Sequence, residues 1–201
     1  MKKISAIIMA LTAAFIITGC ASKGVSRVDA SQEIALSDKW NDKDSSLVSE
    51  EMILDMLSFP WVEDYYNKNN SRKPTVTIQK VRNKSHEHIA TDTFINDLKR
   101  AIIRSGKADF VVGGSERQAL RDEKQDQAKY STVDTQAAIA QETGANFALS
   151  GSINSIVDEV DGSRVTFYQV DLKLIEVETN REVWNGQKKI KKLMQKSSFG
   201  F

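Results

Sequence analysis

The chain has 201 residues, of which 40% are hydrophobic, and its 28 Lys and Arg stand against 27 Asp and Glu for a formal net charge of +1. That length suits one domain with a tether rather than two large domains, and the balanced charge supplies no basic face of the kind a nucleic-acid partner demands. A single cysteine excludes an internal disulfide, so packing must hold the fold together.

In chain order, Lys2 and Lys3 precede an apolar run from Ile4 to Ile17, which is too short to span a bilayer comfortably and reads as a secretion signal. The run ends in Ile17-Thr18-Gly19-Cys20, a small residue directly before the one cysteine. This order resembles the bacterial lipobox. The resemblance implies that residues 1–19 are a removed signal peptide and that Cys20 is lipidated on its thiol and acylated on its new amino terminus. Two or more acyl chains anchor a protein stably where one does not. Ala21 stands where the bacterial sorting rule places Asp for inner-membrane retention, so the expected location is the periplasmic face of the outer membrane. The alternative is a free structural cysteine behind an uncleaved anchor. Residues 20–36 form a short polar linker that, at about 3.3 Å per residue, reaches roughly 50 Å when fully stretched.

A globular domain is expected over 37–192. Leu47, Val48, Met52, Ile53, Met56 and Leu57 recur along an acidic segment and predict an amphipathic helix over 42–57, with Asp42 or Asp44 as cap and Pro60 preventing continuation. Phe59, Trp61, Tyr65 and Tyr66 follow as core-covering aromatics, with a ligand platform as the alternative. Thr75 to Val81 is a β-branched strand after Pro74, and Arg82 to Thr91 a polar loop. A helical stripe of Phe94, Ile95, Leu98, Ala101 and Ile102 carries Thr91 or Asp92 as N-cap and Gly106 as its stop. A strand over Asp109 to Val112 completes a βαβ-like unit and argues for a mixed α/β sheet.

Ser115 and Gln118 have capping-box spacing and open a charged helical segment, Glu116 to Lys129, polar nearly all round. A shorter helix capped by Thr132 or Asp134 carries Ala137, Ala138, Ile139 and Ala140 to a stop at Gly144. Phe147 to Val157 is a long strand, Asp161-Gly162 the strongest hairpin signal, and Val165 to Val177 the return. On that return Thr166, Tyr168, Val170, Leu172, Leu174 and Glu176 make the better core face. A turn at Glu178-Thr179-Asn180 leads to a third strand at Glu182-Val183-Trp184. Residues from Lys188 onward read as a basic, fraying tail, with 193–201 outside the domain. The expected fold class is therefore α/β, a mixed sheet of about four to five strands with helices packed on it.

Thr143-Gly144-Ala145-Asn146-Phe147-Ala148-Leu149-Ser150-Gly151, then Leu172 to Trp184 with Glu178-Thr179-Asn180-Arg181-Glu182-Val183-Trp184, resembles the LpoB family of outer-membrane lipoproteins that activate penicillin-binding proteins. Trp40-Asn41-Asp42 and Val81-Arg82-Asn83-Lys84-Ser85 agree with it, and the resemblance runs from about Trp40 to Lys189. It implies a domain similar to the amino-terminal domain of TolB. It also implies an activator that does no chemistry and needs no cofactor, whose partner is a bifunctional penicillin-binding protein in peptidoglycan synthesis. Familiar members carry a long Pro-rich tether; this chain has two prolines in total. The alternative is a lipid-anchored scaffold, or a curli-secretion-type subunit of another outer-membrane complex. The latter must build a membrane barrel, and no pair of roughly ten-residue alternating segments is left over to cross a bilayer.

Other residues could bear chemistry. His86-Glu87-His88 could offer two metal ligands to a hydrolase if a carboxylate converged, but no Cys or further His completes a shell, and a solvated loop is the simpler expectation. Gly113-Gly114-Ser115 could hold an anion at a helix start, yet a βα turn needs such residues anyway and the phosphate-loop lysine is missing. Lys188, Lys189, Lys191 and Lys192 around Ile190 either guard a strand edge or meet an acidic partner. For a partner surface the expectation is Arg164, Phe167 and Gln169, near the hairpin, with burial of Phe167 as the alternative.

Overall fold

The computed structural model describes residues 26–29, 32, 34, 37–129 and 144–195. The chain divides into two units, Met1–Ile34 and Ala35–Phe201. Every helix and strand described here lies in the second.

Helix α1 (Asp42–Ser58) starts at a reciprocal cap: the Asn41 side chain accepts from the Asp44 N–H at 3.0 Å, and the Asp44 carboxylate accepts from the Asn41 N–H at 2.9 Å. The cap is thus Asn41, one residue before the expected Asp42. Val48, Met52, Ile53, Met56 and Leu57 are buried, whereas Leu47 faces solvent. Pro60 does end α1, but it also begins a second helix, α2 (Trp61–Lys68), which the aromatic cluster had concealed. Its fixed φ of −59° suits a first helical turn, where a missing N–H costs nothing. Trp61 is buried, donates from Nε1 to Met56 O at 2.7 Å and lies tilted against Phe147 with ring centroids 4.6 Å apart, and Tyr65 and Tyr66 pack partly buried against the core, whereas Phe59 is exposed and covers none of it.

Strand β1 (Thr75–Lys84) takes in three residues expected to be loop. Helix α3 (Thr91–Ser105) has Ala90 at its cap position with no side-chain bond, so neither Thr91 nor Asp92 caps it. Gly106 does stop it, at a φ of 66° that favours glycine. Strand β2 is only Asp109–Phe110, and helix α4 (Gly114–Lys129) has no buried residue, as its all-round polarity predicts. Its start at Gly114 places Ser115 inside the helix rather than at its cap. The short helix expected after Thr132 lies outside the described residues, as do residues 196–201.

Strands β3 (Phe147–Val160), β4 (Ser163–Glu176) and β5 (Glu182–Gln195) form an antiparallel meander. Asp161 (φ 49°) and Gly162 (φ 79°) make the two-residue turn, and Val160 pairs with Ser163. Among the described residues the sheet order is β2-β1-β3-β4-β5, with β1 parallel to β2 and β3, which confirms the mixed α/β sheet. The segment from Lys188, expected to fray, is the second half of β5, because cross-strand pairing with β4 continues to Gln195.

One face of this sheet carries the core. Leu149 and Ile153 of β3, Tyr168, Val170, Leu172 and Leu174 of β4 and Trp184 of β5 are buried with Phe94, Leu98 and Ile102 of α3 and the apolar side of α1. Each such side chain contributes roughly 1.5–3 kcal/mol by leaving water. Gly151 permits close approach of β3 to β4: a Cβ there would lie 2.2 Å from the backbone oxygen of Asp171.

Candidate functional site

Three parts of the domain concentrate polar chemistry. The first is a buried clasp holding residues 38–40 to the distal half of β4. The Asp38 carboxylate accepts from the Thr166 hydroxyl and pairs with Arg164, whose Nε lies 3.0 Å away but is not aligned for a hydrogen bond. Tyr168 Oη lies 3.2 Å from Asp38 O and also contacts Glu87, whose Oε1 accepts from the Trp40 N–H at 3.0 Å. One phenol proton serves only one of these acceptors at a time. Burial pushes the Tyr168 hydroxyl up from its ordinary pKa of 10.0, and the hydrogen bond and negative charge of Glu87 push it further. The Trp40 ring lies edge-on to both Phe94 and Tyr168, at 6.1 and 5.6 Å. Asn83 shapes the loop that brings Glu87 here, accepting from Ser85 N at 2.9 Å and donating to Glu87 O at 2.8 Å.

The second is a junction at the other end of the sheet. Asn146 Oδ1 accepts from Thr75 N at 2.9 Å and from Tyr65 Oη at 2.8 Å, with the Thr75 hydroxyl 2.6 Å away. One amide oxygen therefore ties together α2, the start of β1 and the approach to β3. This gives the Gly144-Ala145-Asn146 motif a structural purpose. No local pattern marked Asp38, Glu87 or Asn146 as hubs, since the partners that make them so lie 47 to 130 residues away; only the Asn41-x-x-Asp44 spacing carried a readable signal.

The third is the sheet face away from the core, and it divides the expected partner residues. Phe167 and Gln169 lie on it, half-buried. Arg164 has the parity of Thr166 and Tyr168 and so lies on the opposite face, in the clasp. The lysine quartet splits the same way. Lys188 pairs with Glu51 and Lys192 with Asp44, both inward onto α1, whereas Lys189 and Lys191 point outward and are exposed.

Among the described residues the remaining candidates come together in no reaction centre. His86 Nδ1 sits 3.1 Å from Ser155 Oγ, His88 is exposed, and among the described residues no group of three or more His, Cys, Asp or Glu could hold a metal. Gly113-Gly114-Ser115 forms the turn into α4, where the Arg117 guanidinium donates from Nε to Val112 O at 2.9 Å. Cys20 lies outside the described residues. Among the described residues no helix is long and apolar enough to cross a membrane.

Solved structures to which the chain is similar include LpoB of Escherichia coli determined by NMR, at 14% identity over 89% of this chain and 87% of that one, with a TM-score of 0.42. The LpoB C-terminal domain from Salmonella enterica matches at 16% identity over 65% of this chain and 93% of that one, with a TM-score of 0.35. A PelC dodecamer from Paraburkholderia phytofirmans matches at 17% identity over 60% and 73%, with a TM-score of 0.36. No curated protein matches. The assignment rests instead on the family model described as peptidoglycan-synthase activator LpoB, which matches residues 44–190, from the first turn of α1 to the middle of β5. The chain belongs to the LpoB family of peptidoglycan-synthase activators.

Proposed function

We propose that this protein is an outer-membrane lipoprotein that binds a bifunctional penicillin-binding protein and activates it in peptidoglycan synthesis. The observation that carries this reading is the family match across residues 44–190. The Gly19-Cys20 order behind a charged and apolar leader supports the lipid anchor. The protein acts by contact: tethering confines it near the wall and raises its effective concentration for a partner that reaches the same space. A linker of about sixteen residues limits that reach to roughly 50 Å, so the synthase must present its docking domain close to the outer membrane.

The test is a pull-down of the tagged, acylated protein from cross-linked cell envelopes, with captured proteins identified by mass spectrometry. Recovery of a bifunctional penicillin-binding protein is the expected result. Capture of outer-membrane proteins alone, with no synthase, would refute the activator role and leave a scaffold of another complex.

A further inference from the structure

The outer face of the distal meander combines two features that its core-facing side lacks. Cross-strand rows there run Asp158, Val165, Leu193, then Ile156, Phe167, Lys191, then Asn154, Gln169, Lys189. Ile156, Val160 and Leu193 are 65%, 65% and 61% exposed on this one face, whereas the exposed Leu47 and Leu54 of α1, Ile103 of α3 and Leu120 of α4 are spread over three helices. Grouped apolar exposure is the unusual condition; scattered exposure is ordinary.

The second feature is charge. Arg82 and Lys84 of β1 pair with Ser152 and Asn154, so they flank the same face as Lys189 and Lys191. All four are exposed, and none makes an ion pair among the described residues. The central acid, Asp171, is instead taken up by neutral amides: Gln169 Nε2 at 3.0 Å, Gln187 Nε2 at 3.0 Å and Asn154 Nδ2 at 3.3 Å. Lys188 and Lys192, on the core-facing side of the same strand, are paired with Glu51 and Asp44 of α1. Those on the outer face are left with charge to offer.

We infer that this face, centred on Phe167 and rimmed by Arg82, Lys84, Lys189 and Lys191, is the docking surface for a folded protein domain with an apolar centre and a carboxylate-rich rim. The inference rests on the activator reading, in which that domain belongs to the synthase. An apolar centre excludes water and holds the complex, while opposite charges at the rim steer encounter and fix register.

The probe is the purified bifunctional penicillin-binding protein of the same cell, binding the full-length acylated protein in detergent, measured by surface plasmon resonance at low and high salt. Lys189→Glu with Lys191→Glu should weaken binding about ten-fold at low salt and less at high salt. Phe167→Ala should weaken it about five-fold or more at both, and Leu54→Ser on α1 should leave it unchanged. Circular dichroism checks that each variant is folded; the lysine pair, being exposed, keeps the test valid even if the Phe167 variant is not. Wild-type affinity in the folded lysine variant, or equal weakening by Leu54→Ser, overturns the surface while the activator reading stands. If the unaltered protein does not bind the synthase, both fall.

Discussion

Removing the Asp38 carboxylate tests whether the start of the domain is fixed as the structure requires. Asp38 is 5% exposed and Thr166 3%, while the Arg164 side chain is 32% exposed. Asp38→Ala leaves Arg164 without its counter-charge and Thr166 without its acceptor. Breaking a fully buried pair costs about 3–5 kcal/mol; since water reaches a third of Arg164, roughly 1–2 kcal/mol is appropriate here. The orphaned hydroxyl adds about 1 kcal/mol. The sum, roughly 2–3 kcal/mol, corresponds to a fall in Tm of roughly 5–10 °C for a domain of this size. Thermal unfolding for the Tm and urea unfolding for the coupling, both followed by tryptophan fluorescence, are the assays, because Trp40 lies against Tyr168 within the same clasp. A double-mutant cycle with Arg164→Ala should return a coupling of about 1 kcal/mol. A Tm within about 1 °C of wild type, with zero coupling, would show that residues 38–40 are not clasped to β4.

Other expectations follow from single residues. Asn146→Ala strips an acceptor from Thr75 N and Tyr65 Oη and should cost about 2–4 kcal/mol by denaturant unfolding, with no change in the far-ultraviolet signature of the folded state. Tyr168 is held neutral in the fold by burial and by Glu87, so its contribution is complete below its ordinary pKa of 10.0 and is lost as pH rises beyond it. The slope should be at most about 1.4 kcal/mol per pH unit, and a pH series of unfolding midpoints should flatten in Tyr168→Phe. Cys20→Ser should move the protein from the membrane fraction to the soluble periplasm; retention on the membrane would remove the lipid anchor from the account.

The sheet was legible where local chemistry and period agree. Asp161-Gly162 specified the hairpin, and the alternation Thr166, Tyr168, Val170, Leu172, Leu174, Glu176 identified the core face, the first five being buried and Glu176 half-buried. Gly106 marked a helix end because glycine takes the positive φ of that turn without a Cβ penalty. What was missed depended on ambiguity or on distance. Pro60 serves equally to stop one helix and to start the next, and sequence order alone does not choose between them. Four lysines in five residues read as a solvated tail, although strict alternation sends Lys188 and Lys192 to α1 and Lys189 and Lys191 to the open face. The same alternation separates Arg164 from Phe167 and Gln169, so the expected partner cluster spans two faces of the sheet. The clasp could not be read at all, since Asp38 meets Thr166 across 128 residues and only the folded topology joins them.

As a proposed activator, this member of the LpoB family raises the activity of a peptidoglycan synthase by contact. The most direct measurement is glycan-chain polymerisation and cross-linking by the purified bifunctional penicillin-binding protein, supplied with lipid-linked precursor, with and without the full-length protein. A rate that rises and saturates as the protein approaches a one-to-one ratio is the predicted result. An unchanged rate across that titration, with an otherwise active synthase, would contradict the account.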